Sequence, residues 1–354
     1  MLSTLVSPAA KEKPECSPIT APVVISASGC YILQSNFVAT AAGDSAIIID
    51  GVDAEIDLAG YGLKAAASSS AVGIQAINSG SIRISNGSIE GFLFGIRIET
   101  DRDLSSVEIS EVDISGGARG LFVQADEVRI HNTYVHDVKG YEKWPQAHSI
   151  GIEVNADRCK LRDNRISEIY PISTAEGIAV SLSNPPLDCL VTGNEIENSK
   201  QPRFGRSFGF WIGGRPRSEN LRITGNKVQG VTYGMMAFPT FNKQVANNSF
   251  VVDCMPDEVS TYGNLIEENR FARSDNVCRD KLQHLRTLAK TGIPEWNIRL
   301  AAALLEDQEL GRPPSKRCES LHEASRILEG FQDTMIQAKE QMMRVDALLE
   351  QCAN

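Results

Sequence analysis

The sequence predicts an all-β solenoid: a right-handed parallel β-helix of about nine rungs, followed by a C-terminal α-helical extension. Three observations carry this. First, the phrase apolar-x-x-Asn-x-apolar recurs around Asn164, Asn194, Asn226, Asn248 and Asn269, at steps of 30, 32, 22 and 21 residues. Repeats of roughly 20 to 30 residues are the signature of a solenoid. Second, a phrase Gly-apolar-x-apolar fills the gaps, beginning at Gly73, Gly95, Gly120, Gly151, Gly177 and Gly209. Its alternation by two puts Ile152 and Val154 on one face and Glu153 on the other. Third, the ten or more helical residues that a βαβ crossover requires are missing, so each strand must pair with its copy one rung away.

The Asn recurs because its amide satisfies backbone groups at a bend and can bond the Asn of the next rung. Asn164, Asn194 and Asn226 are therefore expected to stack. Upstream, the polar residue stands one place earlier, at Asn86, Glu111 and Asn132. The expected inward set is Ile82, Ile84, Val107, Ile109, Val128, Ile130, Leu161, Val191, Leu221 and Ile223.

The phrases Ser28-Gly-Cys-Tyr-Ile-Leu33, Ala46-Ile-Ile-Ile-Asp50 and Ala54-Glu-Ile-Asp-Leu-Ala-Gly-Tyr-Gly-Leu63 resemble the opening coil of right-handed β-helix repeat proteins of the pectin-lyase-like superfamily. The resemblance spans about residues 25 to 275. It implies the fold, and it implies a lyase, a hydrolase, an epimerase or a non-catalytic member without choosing among them. The polygalacturonase-like Asn-Thr-Asp, Asp-Asp, Gly-His-Gly and Arg-Ile-Lys motifs are absent, as is an alginate-epimerase Asp-Pro-His-Asp.

The 354 residues divide into a loose segment 1–22, the solenoid 23–277 and a helical extension 278–354. Ala- and Ser-rich residues 65–71 read as a flexible surface loop. In the extension, Leu321, Ala324, Leu328, Phe331, Met335, Ala338, Met342, Val345, Leu349 and Cys352 alternate at spacings of 3 and 4, a heptad seam. Its wide apolar stripe suits packing within the chain, with a monomer or a weak homo-oligomer through this helix as the two outcomes.

The net charge of −10 argues against nucleic acid as partner. There is no run of 18 apolar residues and hence no expected transmembrane helix. No signal-peptide core is visible at the start. Cys16 and Cys30 bracket the first coil, and a disulfide between them would suggest a periplasmic or extracellular location. Cys159 and Cys189 each lie five residues before their Asn and stack on adjacent rungs. At about 4.8 Å with parallel Cβ vectors, two reduced core thiols are expected there. No CxxC or Cys/His cluster at metal spacing occurs, so neither metal nor cofactor is expected.

Function is expected where the rungs lengthen. From Ile89 to Gly95 and from Ile114 to Gly120 the step is 6 residues, but it is 16 from Val135 to Gly151, 11 from Ile166 to Gly177 and 13 from Ile196 to Gly209. Three consecutive rungs thus carry insertions of about 10, 5 and 7 residues at one corner. Long loops on a rigid scaffold commonly hold function. Their residues point to a polysaccharide or oligosaccharide, because aromatic faces stack on sugars and Arg or Lys pairs with uronates.

In a lyase or epimerase reading, Arg206 or Arg203 neutralises a uronate, His148 or Lys139 is the base, and Tyr170 or Tyr141 the acid. Trp144, Glu176, Phe204, Trp211 and Arg215 complete the binding surface. Replacing His148 or Arg206 is then expected to abolish turnover without lowering the melting temperature. A hydrolase would instead pair two of Glu142, Glu168 and Glu176. The rival is a non-catalytic binding or surface-structural β-helix whose helical tail caps or oligomerises it. His131, beside Asn132, reads as structural, and His136-Asp137 as a solvated hydrogen bond.

Overall fold

A computed structural model describes residues 15–39, 45–66, 70–100, 105–141, 147–171, 175–184, 188–199, 206–213, 220–237, 243–252, 255–259, 265–267 and 269–273. The expected helical extension 278–354 lies outside them. The described strands are all parallel and form one coiled sheet with three faces.

Sheet I stacks the inward row Ile47, Ile74, Ile96, Leu121, Ile152, Val180, Phe210 and Met235. Sheet II stacks Tyr31, Ile56, Ile84, Ile109, Ile130, Leu161, Val191, Ile223, Val245 and Ile266. Sheet III stacks Phe37, Leu63, Ile89, Ile114, Val135, Ile166, Ile196, Val228, Phe250 and Phe271. Nine turns therefore separate Phe37 from Phe271, in line with the column of about nine rungs expected. All ten residues of the expected inward set are buried in one continuous core.

The column also begins earlier than the boundary at 23. Ser17–Ile19 pairs with Tyr31, Ile32 and Leu33, and the Cys16–Cys30 disulfide ties this strand to the first coil. Ala65 and Ala71, placed by the sequence in a surface loop, are 7 % and 2 % exposed and belong to the core.

Asn164, Asn194, Asn226, Asn248 and Asn269 form the expected ladder. Each Nδ2 donates to the Oδ1 of the next Asn at 2.9 Å. The same Oδ1 accepts the preceding Asn backbone N–H at 2.9 to 3.1 Å. Thr133 stands at this position one rung earlier, and its N–H donates to Asn164 Oδ1 at 3.1 Å.

The upstream polar residues are a different column. Asn86, Glu111 and Asn132 have φ of 63°, 55° and 52°, like Asp163, Gly193, Gly225 and Asn247 below them. They are the left-handed bend residues that precede the ladder position. The glycine phrase has a steric cause: a Cβ on Gly120 would lie 2.6 Å from the carbonyl oxygen of Gly151 in the next rung.

Cys159 and Cys189 are joined by a disulfide, contrary to the expected thiols. The reason is local: their Cα atoms are 4.4 Å apart, closer than the generic strand spacing and inside the range a disulfide spans. All four described cysteines are therefore paired.

Candidate functional site

The inserted corner lies between sheets III and I. Register fixes the insertion lengths. The inward residues of these sheets are seven positions apart at Ile114 and Leu121 and again at Val228 and Met235. They are 17 apart at Val135 and Ile152, and 14 apart at both Ile166 and Val180 and Ile196 and Phe210. The second insertion is therefore longer than the sequence suggested. Gly177 aligns with Ser149 and Ala179 with Gly151, so the glycine phrase at 177 sits two residues out of step.

The insertions leave the column from neighbouring positions. The Lys139 N–H donates to Gly117 O and the Ile150 N–H to Ala118 O, so both stems of the first insertion rest on adjacent residues of the rung above. Tyr170, whose N–H donates to Val138 O, starts the second stem beside Lys139. The returning stems bring His148, Glu176 and Arg206 into one row, because Ser149, Gly177 and Ser207 are in register.

That row is tightly connected. Arg206 donates to Glu176, whose side chain is only 11 % exposed. The Glu176 N–H donates to His148 Nδ1 at 3.2 Å, and a Glu176 carboxylate oxygen lies 3.8 Å from the same nitrogen. In the neutral ring this amide bond occupies the Nδ1 lone pair and leaves the proton on Nε2. The His148 side chain is 48 % exposed. Burial works against the Arg206 charge, but Tyr233 and Glu176 more than offset it and hold the guanidinium above its ordinary value. Its buried Nε has no partner among the described residues. Arg206 thus carries structural load, and its removal without a stability cost, as the sequence led us to expect, does not fit this burial.

Aromatic side chains continue the row on the outside of sheet I. The Arg206 guanidinium lies 5.3 Å from the Phe208 ring centre and 5.7 Å from that of Tyr233. Phe208 stacks on Tyr233 and meets Trp211 edge-on, both at 5.0 Å. With Ile150 and Ile178 these residues form a small apolar cluster separate from the core.

Towards the N-terminal end the same face presents Arg119 and Glu153, paired at 2.6 Å across one rung. Arg119 lies 5.5 Å from the ring centre of Phe94 and 5.9 Å from that of Phe122. Burial pushes the Glu153 carboxyl up, and the charges of Arg119 and His148 only partly counter it. The face is thus a run of guanidinium–carboxylate pairs alternating with aromatic rings.

Of the residues expected from sequence, His148, Glu176, Arg206 and Trp211 come together here. Tyr170 and Lys139 stand on the departing stems. Tyr170 donates its hydroxyl to Glu168, and Lys139 pairs with Asp137 at 3.2 Å. Burial raises the Glu168 carboxyl, but hydrogen bonds from Tyr170 and Ser199 outweigh it and leave it below its ordinary value. Tyr141 is the last described residue before the first insertion. Trp144, Arg203, Phe204 and Arg215, with Glu142, lie outside the described residues.

Sequence reasoning missed Arg119 and Glu153. Stacking the rungs before choosing residues would have found them, since Phe122 and Glu153 are register partners. It also read His136 as bonded to Asp137 alone. The ring lies between two carboxylates, Asp137 at 2.8 Å and Asp113 at 3.0 Å. His131 bonds Glu108 at 3.2 Å on the outside of sheet II.

The family model described as "Right handed beta helix region" matches residues 64–250, more than half of the chain. No curated protein and no solved structure matches it.

Proposed function

This chain belongs to the right-handed β-helix family, and on that premise we propose that the outer face of sheet I binds a polysaccharide along the column. The observation that carries the reading is the row of His148, Glu176 and Arg206 set against Phe208, Trp211 and Tyr233 at the stems of three insertions. Sugar rings offer hydroxyls to carboxylate–guanidinium pairs and C–H faces to aromatic rings. His148, with Nδ1 held by the Glu176 amide and its side chain half exposed, keeps its Nε2–H as a donor for a sugar oxygen.

Binding is favoured over uronate cleavage by two details. Arg206 and Arg119 are already neutralised by Glu176 and Glu153, so neither is a spare cation for a substrate carboxylate. The Nδ1 lone pair that would make His148 a base is engaged. The two disulfides support a periplasmic or extracellular location, where such thiols stay oxidised.

The test is a glycan array with the wild-type chain, His148→Ala and Trp211→Ala, joined to ultraviolet absorbance of the bound polymers. Retention that both variants lose, without new absorbance, is the expected result. Appearance of an unsaturated uronate product would replace binding by lyase chemistry. Equal retention by both variants would remove this face from the function.

A further inference from the structure

The first coil offers three strands, Val23–Ile25 on sheet I, Gly29–Leu33 on sheet II and Phe37–Val38 on sheet III. An open strand edge is a template for pairing with another chain, and a long edge more so than a short one. Gly29–Leu33 is the longest of the three. Among the described residues it alone is covered on its outer side, by Ser17–Ile19.

That cover is slight. It is three residues long, Ser17 and Pro18 are exposed, and only Ile19 reaches the core. Pro18 has no N–H to give to the ladder. Fixing a few residues costs conformational entropy of the same order as burying one isoleucine and making a few hydrogen bonds returns. The contacts alone therefore leave this strand near balance between docked and released. The Cys16–Cys30 disulfide joins residues 14 apart, and in the chain-entropy account a loop of that size favours the closed arrangement by about a hundredfold or more.

The two disulfides have opposite surroundings. Cys30 precedes the inward Tyr31 by one residue, so it stands on the outer face of sheet II, with Cys16 above it. Both are half-buried, and their neighbours Glu15, Ser17 and Gly29 are exposed. Cys159 and Cys189 precede the inward Leu161 and Val191 by two, so they point into the core and are 7 % and 0 % exposed. Thiol–disulfide exchange requires the attacking sulfur to reach the bridge, which favours the terminal one.

We infer that Cys16–Cys30 is a thiol-released clasp: its reduction frees Ser17–Ile19 from the end of the column and uncovers the Gly29–Leu33 edge, while the rungs behind stay coiled. A thiolate of a dithiol attacks one sulfur of the bridge, the S–S bond breaks, and the other cysteine leaves as a thiolate. The second thiol of the reductant then displaces the first cysteine and closes the reductant's own disulfide. Two electrons pass to the protein, and two protons end on its thiols. Each rung of a solenoid contacts only its neighbours, so an opening at the end does not travel. Leu161, beside the buried disulfide and the Asn ladder, is five rungs from Tyr31.

The experiment treats the folded full chain with increasing dithiothreitol, alkylates it and reads each cysteine by peptide mass spectrometry, with amide exchange followed in parallel. Cys16 and Cys30 are expected to be alkylated at concentrations at least about tenfold below those that modify Cys159 and Cys189. The Gln34 N–H, which donates to Ile19 O at 3.1 Å, should then exchange about tenfold faster or more, and the Asn164 N–H, held by Asn194 Oδ1, should change by under about twofold. Cys16→Ser/Cys30→Ser should show the fast Gln34 exchange without any reductant. Should that variant not fold, the reduced and alkylated wild-type chain supplies the same comparison. Simultaneous reduction of both bridges would overturn the clasp. So would slow Gln34 exchange after Cys16 and Cys30 are alkylated, or loss of the circular dichroism of the column at that first reduction.

Discussion

Replacing Asn194 by Ala should be among the most damaging single changes in the column. Asn194 is 2 % exposed and stands in the middle of the ladder. Its Oδ1 accepts the Asn164 N–H at 3.1 Å and the Asn164 Nδ2 at 2.9 Å. Its Nδ2 donates to Leu161 O at 3.0 Å and to Asn226 Oδ1 at 2.9 Å. Truncation orphans the buried Asn164 N–H and deprives Leu161 O of its donor. Asn226 Oδ1 keeps the Asn194 N–H at 2.9 Å and is spared. Two orphaned buried groups at about 1–3 kcal/mol each give a loss of roughly 2–6 kcal/mol. Asn269, the last ladder residue described, makes the same bonds, accepting the Asn248 N–H at 3.0 Å and donating to Val245 O at 2.9 Å, but it is only half-buried, so water can reach the groups that Asn269→Ala frees and the change should cost less. Urea unfolding followed by circular dichroism gives the ranking, and amide exchange at Asn164 gives the local effect. An Asn194→Ala loss under about 1 kcal/mol, or one equal to that of Asn269→Ala, would refute the assignment of energy to the ladder.

Other consequences can be checked alongside. Arg206→Met leaves the buried Glu176 carboxylate unpaired and should cost about 3–5 kcal/mol, with Arg206→Met/Glu176→Gln closer to wild type; thermal melts of the two decide it. Cys159→Ser/Cys189→Ser removes a cross-link spanning 30 residues, for which chain entropy gives about 3.5 kcal/mol, readable as a shift in the urea midpoint. The Asp137 carboxyl is held below its ordinary 3.8, first by the His136 hydrogen bond. A lowered folded value stabilises above that ordinary value and is lost as pH falls through the folded one. Asp137→Asn should therefore flatten the fall in melting temperature below about pH 3.8 while lowering the plateau above it; an unchanged acid limb would exclude this pair.

How much of this was legible in the sequence depends on how far apart the interacting residues lie. Alternation by two and a recurring Asn are local patterns, so Ile84, Ile109 and Ile130 could be placed inward, and Asn164 stacked on Asn194, before any coordinates. The lengthened connections were also legible, because spacing alone marks the corner that carries them. Pairing was not. Arg119 meets Glu153 across 34 residues and Arg206 meets Glu176 across 30, and a sequence read rung by rung shows each only as a polar residue beside a strand. The glycine phrase at 177 misled by two positions, because the phrase records a close backbone approach and Ala179 fills that place in this rung. The bend residues Asn86 and Asn132 resembled ladder residues, since Asn serves both a left-handed backbone and a stacked amide, and only φ distinguishes them. Cys159 and Cys189 turned on a few tenths of an ångström between neighbouring strands. Periodicity fixes which face a side chain takes; which partner it finds on that face is set by the height at which distant rungs stack, and that exists only once the chain has coiled.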